Sequence, residues 1–194
     1  AISSASRPKY SEFSSQNLAN MPWSFARLGV LDLPLLNSLA ASAIPKSSEF
    51  NLQNLSNTAW SCATLALTNL PLLHSISKSA LAKIAEASRQ DIANMAWAFS
   101  ALFIADEPLL AAIASESRRK LSETVAQNLS NIAWAFAKLA LLNQPLLPAI
   151  AAEARPRITD FLTQEISNTA WAFATLGVQH QPLFASISAA AITR

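Results

Sequence analysis

Lys9, Lys46, Lys83, Lys120, Arg157 and Arg194 follow one another at intervals of 37 residues. A cation at a fixed interval is what a phosphate backbone would call for, one rung neutralising one charge. Glu12, Glu49, Glu86, Glu123 and Asp160 stand three residues after the first five rungs, and an i,i+3 pair on a helical turn would neutralise the cation within the chain instead. Exposed pairs of this kind are weak enough to exchange partners, so the ladder reads either as a phosphate track or as internal pairing.

A second set of polar residues varies from unit to unit. Asn37, Ala41 and Ile44 are followed at the same interval by His74, Lys78 and Leu81, then by Ala111, Ser115 and Arg118, then by Pro148, Ala152 and Arg155, with Arg119 adjoining Arg118. One or a few variable side chains per unit against a fixed frame is the pattern of a modular reader of bases. An unconstrained solvent face would vary in the same way. Glu116 and Glu153, close to these arginines, lower the local positive potential. Nothing else in the chain can be assembled into a reaction centre. His74 and His180 are not at equivalent positions, no Ser/His/Asp or Cys/His set can be built, and two glycines cannot make a phosphate loop. The reading is therefore of a non-enzyme with no cofactor and no metal.

These residues owe their spacing to an internal repeat. Trp23, Trp60, Trp97, Trp134 and Trp171 are 37 residues apart, as are Pro34, Pro71, Pro108, Pro145 and Pro182. Gln16, Gln53, Gln90, Gln127 and Gln164 keep the same register, and so do Asn20, Asn57, Asn94, Asn131 and Asn168. No insertion breaks it. Two glycines and abundant Ala, Leu and Ser favour helix over strand. A chain that is 52% hydrophobic and 13% charged must bury its surplus between repeats, because no run approaches the roughly 18 apolar residues of a membrane span. A net charge of +2 falls short of the field of a dedicated nucleic-acid domain. Cys62 takes the place of Phe25, Phe99, Phe136 and Phe173, and so belongs to the core.

Each unit divides into two helices. The first, A, starts near the repeated proline, with Asp32, Asn69, Asp106 and Asn143 two residues ahead as start signals. Leu35, Leu36, Leu39 and Ala43 then form one apolar stripe. The second, B, begins near the repeated Gln and carries apolar residues on more than one side, which predicts burial on more than one side, the Trp included. The repeated Asn is expected to bond an inter-helix loop, as a buried amide needs a partner. Gly29 and Gly177 read as helix stops, and Pro22 should cost the first B helix a hydrogen bond or kink it. The fold class is all-α: a solenoid of tandem 37-residue helix-turn-helix repeats, right-handed by analogy with other helical hairpins. Residues 1–33 make a partial repeat, 34–70, 71–107, 108–144 and 145–181 full repeats, and 182–194 the first helix of another. With no polar capping repeat at either end, the chain reads as a window on a longer array with open half-repeats at 1–9 and 182–194.

The unit PLLxAIAxEAxxRL…QNLSNxAWAFAKL, assembled from residues 145–176 and 108–139, resembles the heptatricopeptide and octotricopeptide repeats and the related repeats upstream of RAP domains. That resemblance implies an array in a chloroplast or mitochondrion that binds single-stranded RNA to stabilise it, process it or help translate it. Under this reading the candidate RNA contacts are Asn37, His74, Lys78, Ser115, Arg118, Arg119 and Arg155, with Lys46, Lys83, Lys120 and Arg157 as a phosphate ladder. The rival is a non-catalytic scaffold that docks on protein subunits of a large organellar assembly, a ribosome or a membrane complex, without entering the membrane. Low charge favours the scaffold; variation on helix A favours RNA.

Overall fold

The computed structural model describes residue 10 and residues 12–192. Lys9, Arg194 and the half-repeat expected at 1–9 lie outside the described residues. Those described form helices α1 (Ser15–Arg27), α2 (Leu33–Ala43), α3 (Leu52–Thr64), α4 (Leu70–Leu81), α5 (Arg89–Ala101), α6 (Glu107–Lys120), α7 (Ala126–Lys138), α8 (Leu146–Ala154), α9 (Thr163–Thr175) and α10 (Gln181–Ile192). No strand occurs among the described residues. The odd-numbered helices carry the tryptophans and are the B helices; the even-numbered are the A helices. Short 3-10 turns at Ser47–Glu49, Ile84–Glu86, Leu121–Glu123 and Arg155–Asp160 lead from A to B. The chain divides into two compact units, 1–98 and 99–194.

Helices α2, α4 and α6 begin one residue after the cap that the sequence places, and α8 begins three residues after it, behind a turn at residues 144–145. Asp32, Asn69, Asp106 and Asn143 each accept a hydrogen bond through Oδ1 from the amide three residues on, at 2.9, 3.1, 3.1 and 3.1 Å. This satisfies one of the amides that a helix start leaves unpaired. At the same register α10 has a histidine, and His180 Nδ1 accepts from the Leu183 amide at 3.1 Å. His180 is thus the cap of its helix.

The B helices end identically in all five repeats. The residue after the C-cap has positive φ, 65° at Gly29, 52° at Ala66, 56° at Phe103, 54° at Ala140 and 67° at Gly177. The next amide reaches back to the carbonyl five residues earlier, as from Val30 to Phe25, Leu67 to Cys62, Ile104 to Phe99, Leu141 to Phe136 and Val178 to Phe173. This is a Schellman ending, which glycine makes without a Cβ penalty. Gly29 and Gly177 are the expected stops; Ala66, Phe103 and Ala140 accept the same left-handed geometry with a side chain. Left-handed backbone costs an L-residue about 1–2 kcal/mol, offset in part by the lower unfolded-state entropy relative to glycine. Ala66→Gly and Ala140→Gly are therefore each expected to raise stability by about 0.5–1 kcal/mol in denaturant unfolding. A loss of stability from both would contradict this account of the turn.

In the first unit α1 packs along α3, with α2 and α4 on their other side; in the second, α7 packs along α9, with α8 alongside. Small residues permit this approach of B helices. Ala59, Ala133, Ser61, Ala135 and Ala172 are all fully buried. Leu18, Leu35, Leu39, Leu55, Leu73 and Ile76 fill the first core, and Leu129, Phe136, Leu147, Ile150, Phe161 and Phe173 the second. Cys62 is buried among them, and burial pushes its thiol up to about 12, so it stays protonated and unreactive at neutral pH. Pro22 removes one hydrogen-bond donor, yet α1 runs through it from Ser15 to Arg27 with Pro22 buried.

The tryptophans differ from expectation. Trp60, Trp97 and Trp134 are half-buried, while Trp23 is 40% and Trp171 46% exposed. Within the units the indoles lean on one another, Trp60 on Trp97 with ring centroids 6.5 Å apart and Trp134 on Trp171 at 6.3 Å. The apolar demand of the B helix is met by its Leu, Ala and Phe positions, and the Trp lies at the edge of that covered arc.

Candidate binding surfaces

The variable stripe of the A helices is accessible in every repeat. Asn37, His74, Lys78, Ser115, Arg118, Arg119 and Arg155 are all exposed. They separate by what they touch. Arg119 Nη1 donates to Glu116 Oε1 at 2.8 Å, and Lys120 Nζ stands 3.6 Å from the other carboxylate oxygen. Glu116 is buried, so these two cations hold its charge in place. Arg118, Arg155 and Lys78 make no ion pair among the described residues. Arg118 and Arg155 share a register position and lie in the second unit.

The basic ladder does something that neither sequence reading anticipated. Lys46 Nζ donates to the Phe13 carbonyl at 3.0 Å, Lys83 Nζ to those of Phe50 at 2.7 Å and Ser48 at 2.6 Å, and Arg157 Nη2 to that of Thr124 at 2.8 Å. Phe13, Phe50 and Thr124 are equivalent positions, each 33 residues before its partner. The cation at the end of an A helix thus reaches back to the turn that opens the preceding B helix. Arg157 also pairs with Glu153 at 3.0 Å, one turn earlier on its own helix. A charged donor given to a backbone acceptor in a turn makes a strong tie.

A third surface lies on the B helices. Gln53, Asn57, Trp60 and Thr64 of α3 are partly or fully accessible, as are Gln90, Asn94, Trp97 and Ala101 of α5 and Gln127, Asn131, Trp134 and Lys138 of α7. Their i, i+4, i+7, i+11 spacing puts each set on one stripe of its helix. The expected bond from the repeated Asn to a loop is not made. The side chains of Asn57, Asn94, Asn131 and Asn168 are half-buried and have no hydrogen-bond partner among the described residues. No group of three or more His, Cys, Asp or Glu side chains suited to a metal ion occurs among the described residues, nor a helix long and apolar enough to cross a membrane.

A chain whose accessible stripes recur on successive hairpins is a helical-hairpin protein. It belongs to the family of the RNA-editing substrate-binding complex 6 protein, whose family model matches residues 2–181. No curated protein matches the chain. The family match corrects the assignment to heptatricopeptide and octotricopeptide repeats. The pattern that suggested those repeats, Leu and Ala at helical spacing with Pro and Asn at the helix starts, encodes helix packing and capping, which unrelated hairpin families share.

Proposed function

We propose that this chain is a non-catalytic scaffold, a docking subunit of an organellar assembly that handles RNA, built from 37-residue hairpins stacked as a solenoid. The observation that carries the reading is the row of large apolar side chains left in water where a B helix turns into the next A helix. In the first unit these are Leu28, 78% exposed, with Val30, Leu31, Leu33 and Leu70; in the second they are Phe103, 70% exposed, and Leu142. Val125 and Leu162, 58% and 68% exposed, add to them at the A-to-B turns of the second unit, and exposed apolar side chains in this number at the turns suit a protein partner better than a polyanion. The family description supports the same reading, since it names a complex that binds RNA-editing substrates. His180, engaged as a helix cap, and Cys62, buried and protonated, are both accounted for without chemistry.

The test is recovery of the tagged chain with the other subunits of its complex, before and after nuclease treatment. Recovery should survive nuclease, and a Leu31→Glu/Leu70→Glu/Leu142→Glu variant should lose it while keeping its thermal midpoint. Recovery that nuclease abolishes and that the three glutamates leave intact would overturn the scaffold. The second reading is an array that holds single-stranded RNA on the A helices for its stability, processing or translation, and it is favoured by the unpaired, exposed Arg118, Arg155 and Lys78.

A further inference from the structure

The interior B helices are covered on every side but one. Away from their first and last turns, the accessible residues of α3 are Asn57 and Trp60, those of α5 are Asn94 and Trp97, and those of α7 are Asn131 and Trp134. Accessible positions ordinarily drift between repeats, as Asn37, His74, Ala111 and Pro148 do on the A helices. Three of the four B-stripe positions do not drift: Gln, Asn and Trp are the same in all five repeats, while the fourth is Arg27, Thr64, Ala101, Lys138 and Thr175 in turn. Internal packing does not demand the amides, which make no side-chain hydrogen bond among the described residues. It does not demand a whole indole either, since smaller side chains close the core beneath.

An accessible stripe that is constant from repeat to repeat fits a ligand that is itself constant from repeat to repeat. Such a ligand is a polymer held without its sequence being read. The residue types suit a nucleic-acid strand. Every base has a face that stacks on an indole, so Trp serves all bases alike. An Asn or Gln amide offers two donors and an acceptor, which match the sugar hydroxyl and the base edges.

Charge decides between a nucleic acid and an extended peptide. The fourth stripe position is Arg27 in α1 and Lys138 in α7, and their cations lie 5.8 and 4.8 Å from the centroids of Trp23 and Trp134. No Asp or Glu occupies any of the four stripe positions in the five B helices. Carboxylates stand one turn ahead of the glutamines, at Glu49, Glu86 and Asp160, all exposed. A polyanion would therefore track the C-terminal halves of the B helices, over the tryptophans and away from those acids.

The geometry points to the B-helix stripe of each unit as a sequence-independent binding surface for single-stranded RNA, with bases on the tryptophans and amides on the sugars. This goes beyond the scaffold reading, which concerns the turns, and does not rest on it. The experiment uses the whole chain with fluorescein-labelled oligo(U) and oligo(A) of equal length, followed by anisotropy and by intrinsic tryptophan emission. The two homopolymers should bind within about threefold of each other and quench the tryptophans. Asn57→Ala/Asn94→Ala/Asn131→Ala, which removes no hydrogen bond of the fold, should weaken both by roughly tenfold or more, as should Trp60→Leu/Trp134→Leu with helical circular dichroism intact. Arg27→Ala/Lys138→Ala should lower the salt slope by about 0.7 per lost phosphate contact. Loss of binding in Arg118→Ala/Arg155→Ala alone would overturn the assignment and place the RNA on the A helices. A folded wild-type chain that binds neither homopolymer would also overturn it and leave the stripe to a protein.

Discussion

Phe136→Ala is expected to cost about 3–5 kcal/mol in urea unfolding, the range for a large aromatic removed from a closed core. Phe136 is 2% exposed. Trp134, two residues earlier on the same helix, is larger but only half-buried and leans on the Trp171 ring. Trp134→Ala should therefore cost roughly half as much, since the stabilisation follows the area taken from water and not the size of the side chain. Equal costs would mean that the indole sits inside the stack, and would leave the B stripe without its stacking platform.

Lys83→Met should destabilise by about 1–3 kcal/mol, the scale of hydrogen bonds made by a charged donor. Its effect should fall at a distance. The carbonyls that Lys83 holds belong to Ser48 and Phe50, and the amides of residues 47–50 should exchange with solvent faster in the variant while those around position 83 change less. Methionine keeps most of the apolar stem, so the comparison isolates the ammonium group. Unchanged exchange at residues 47–50 together with weakened RNA binding would return the basic ladder to a phosphate role.

Much of the fold could be read from residue types because the determining interactions are local. A cap at Asp32, Asn69, Asp106 or Asn143 bonds an amide three residues away, and the proline beside it fixes the first turn; both signals sit within one helical turn of sequence. The exposure of Asn37, His74 and Arg118 likewise followed from a single apolar stripe on the A helices. What was not legible depended on partners far along the chain. The acceptors of Lys46, Lys83 and Arg157 are backbone carbonyls, which every residue has, so no side-chain pattern marks them, whereas the nearby glutamates drew attention by being charged. The half-buried position of the Trp is hidden from periodicity for a different reason. A B helix shows apolar residues almost all round, and periodicity alone does not tell which arc is left open when one residue is large and amphipathic. The left-handed turns at Ala66, Phe103 and Ala140 were hidden because only their glycine counterparts announce that geometry.

The reach-back of the basic residues gives the chain a mechanical direction. Lys46 and Lys83 in the first unit and Arg157 in the second each belong to a later repeat and fasten the turn of an earlier one. Peeling a unit from its C-terminal side pulls out a fastener with every hairpin removed, and the hairpin left behind has lost the hold on its own turn. Peeling from the N-terminal side leaves the turns that follow still fastened, and the freed cation returns to water, where it is well solvated. Resistance to pulling, to proteolysis or to a translocating unfoldase should therefore depend on which end is engaged.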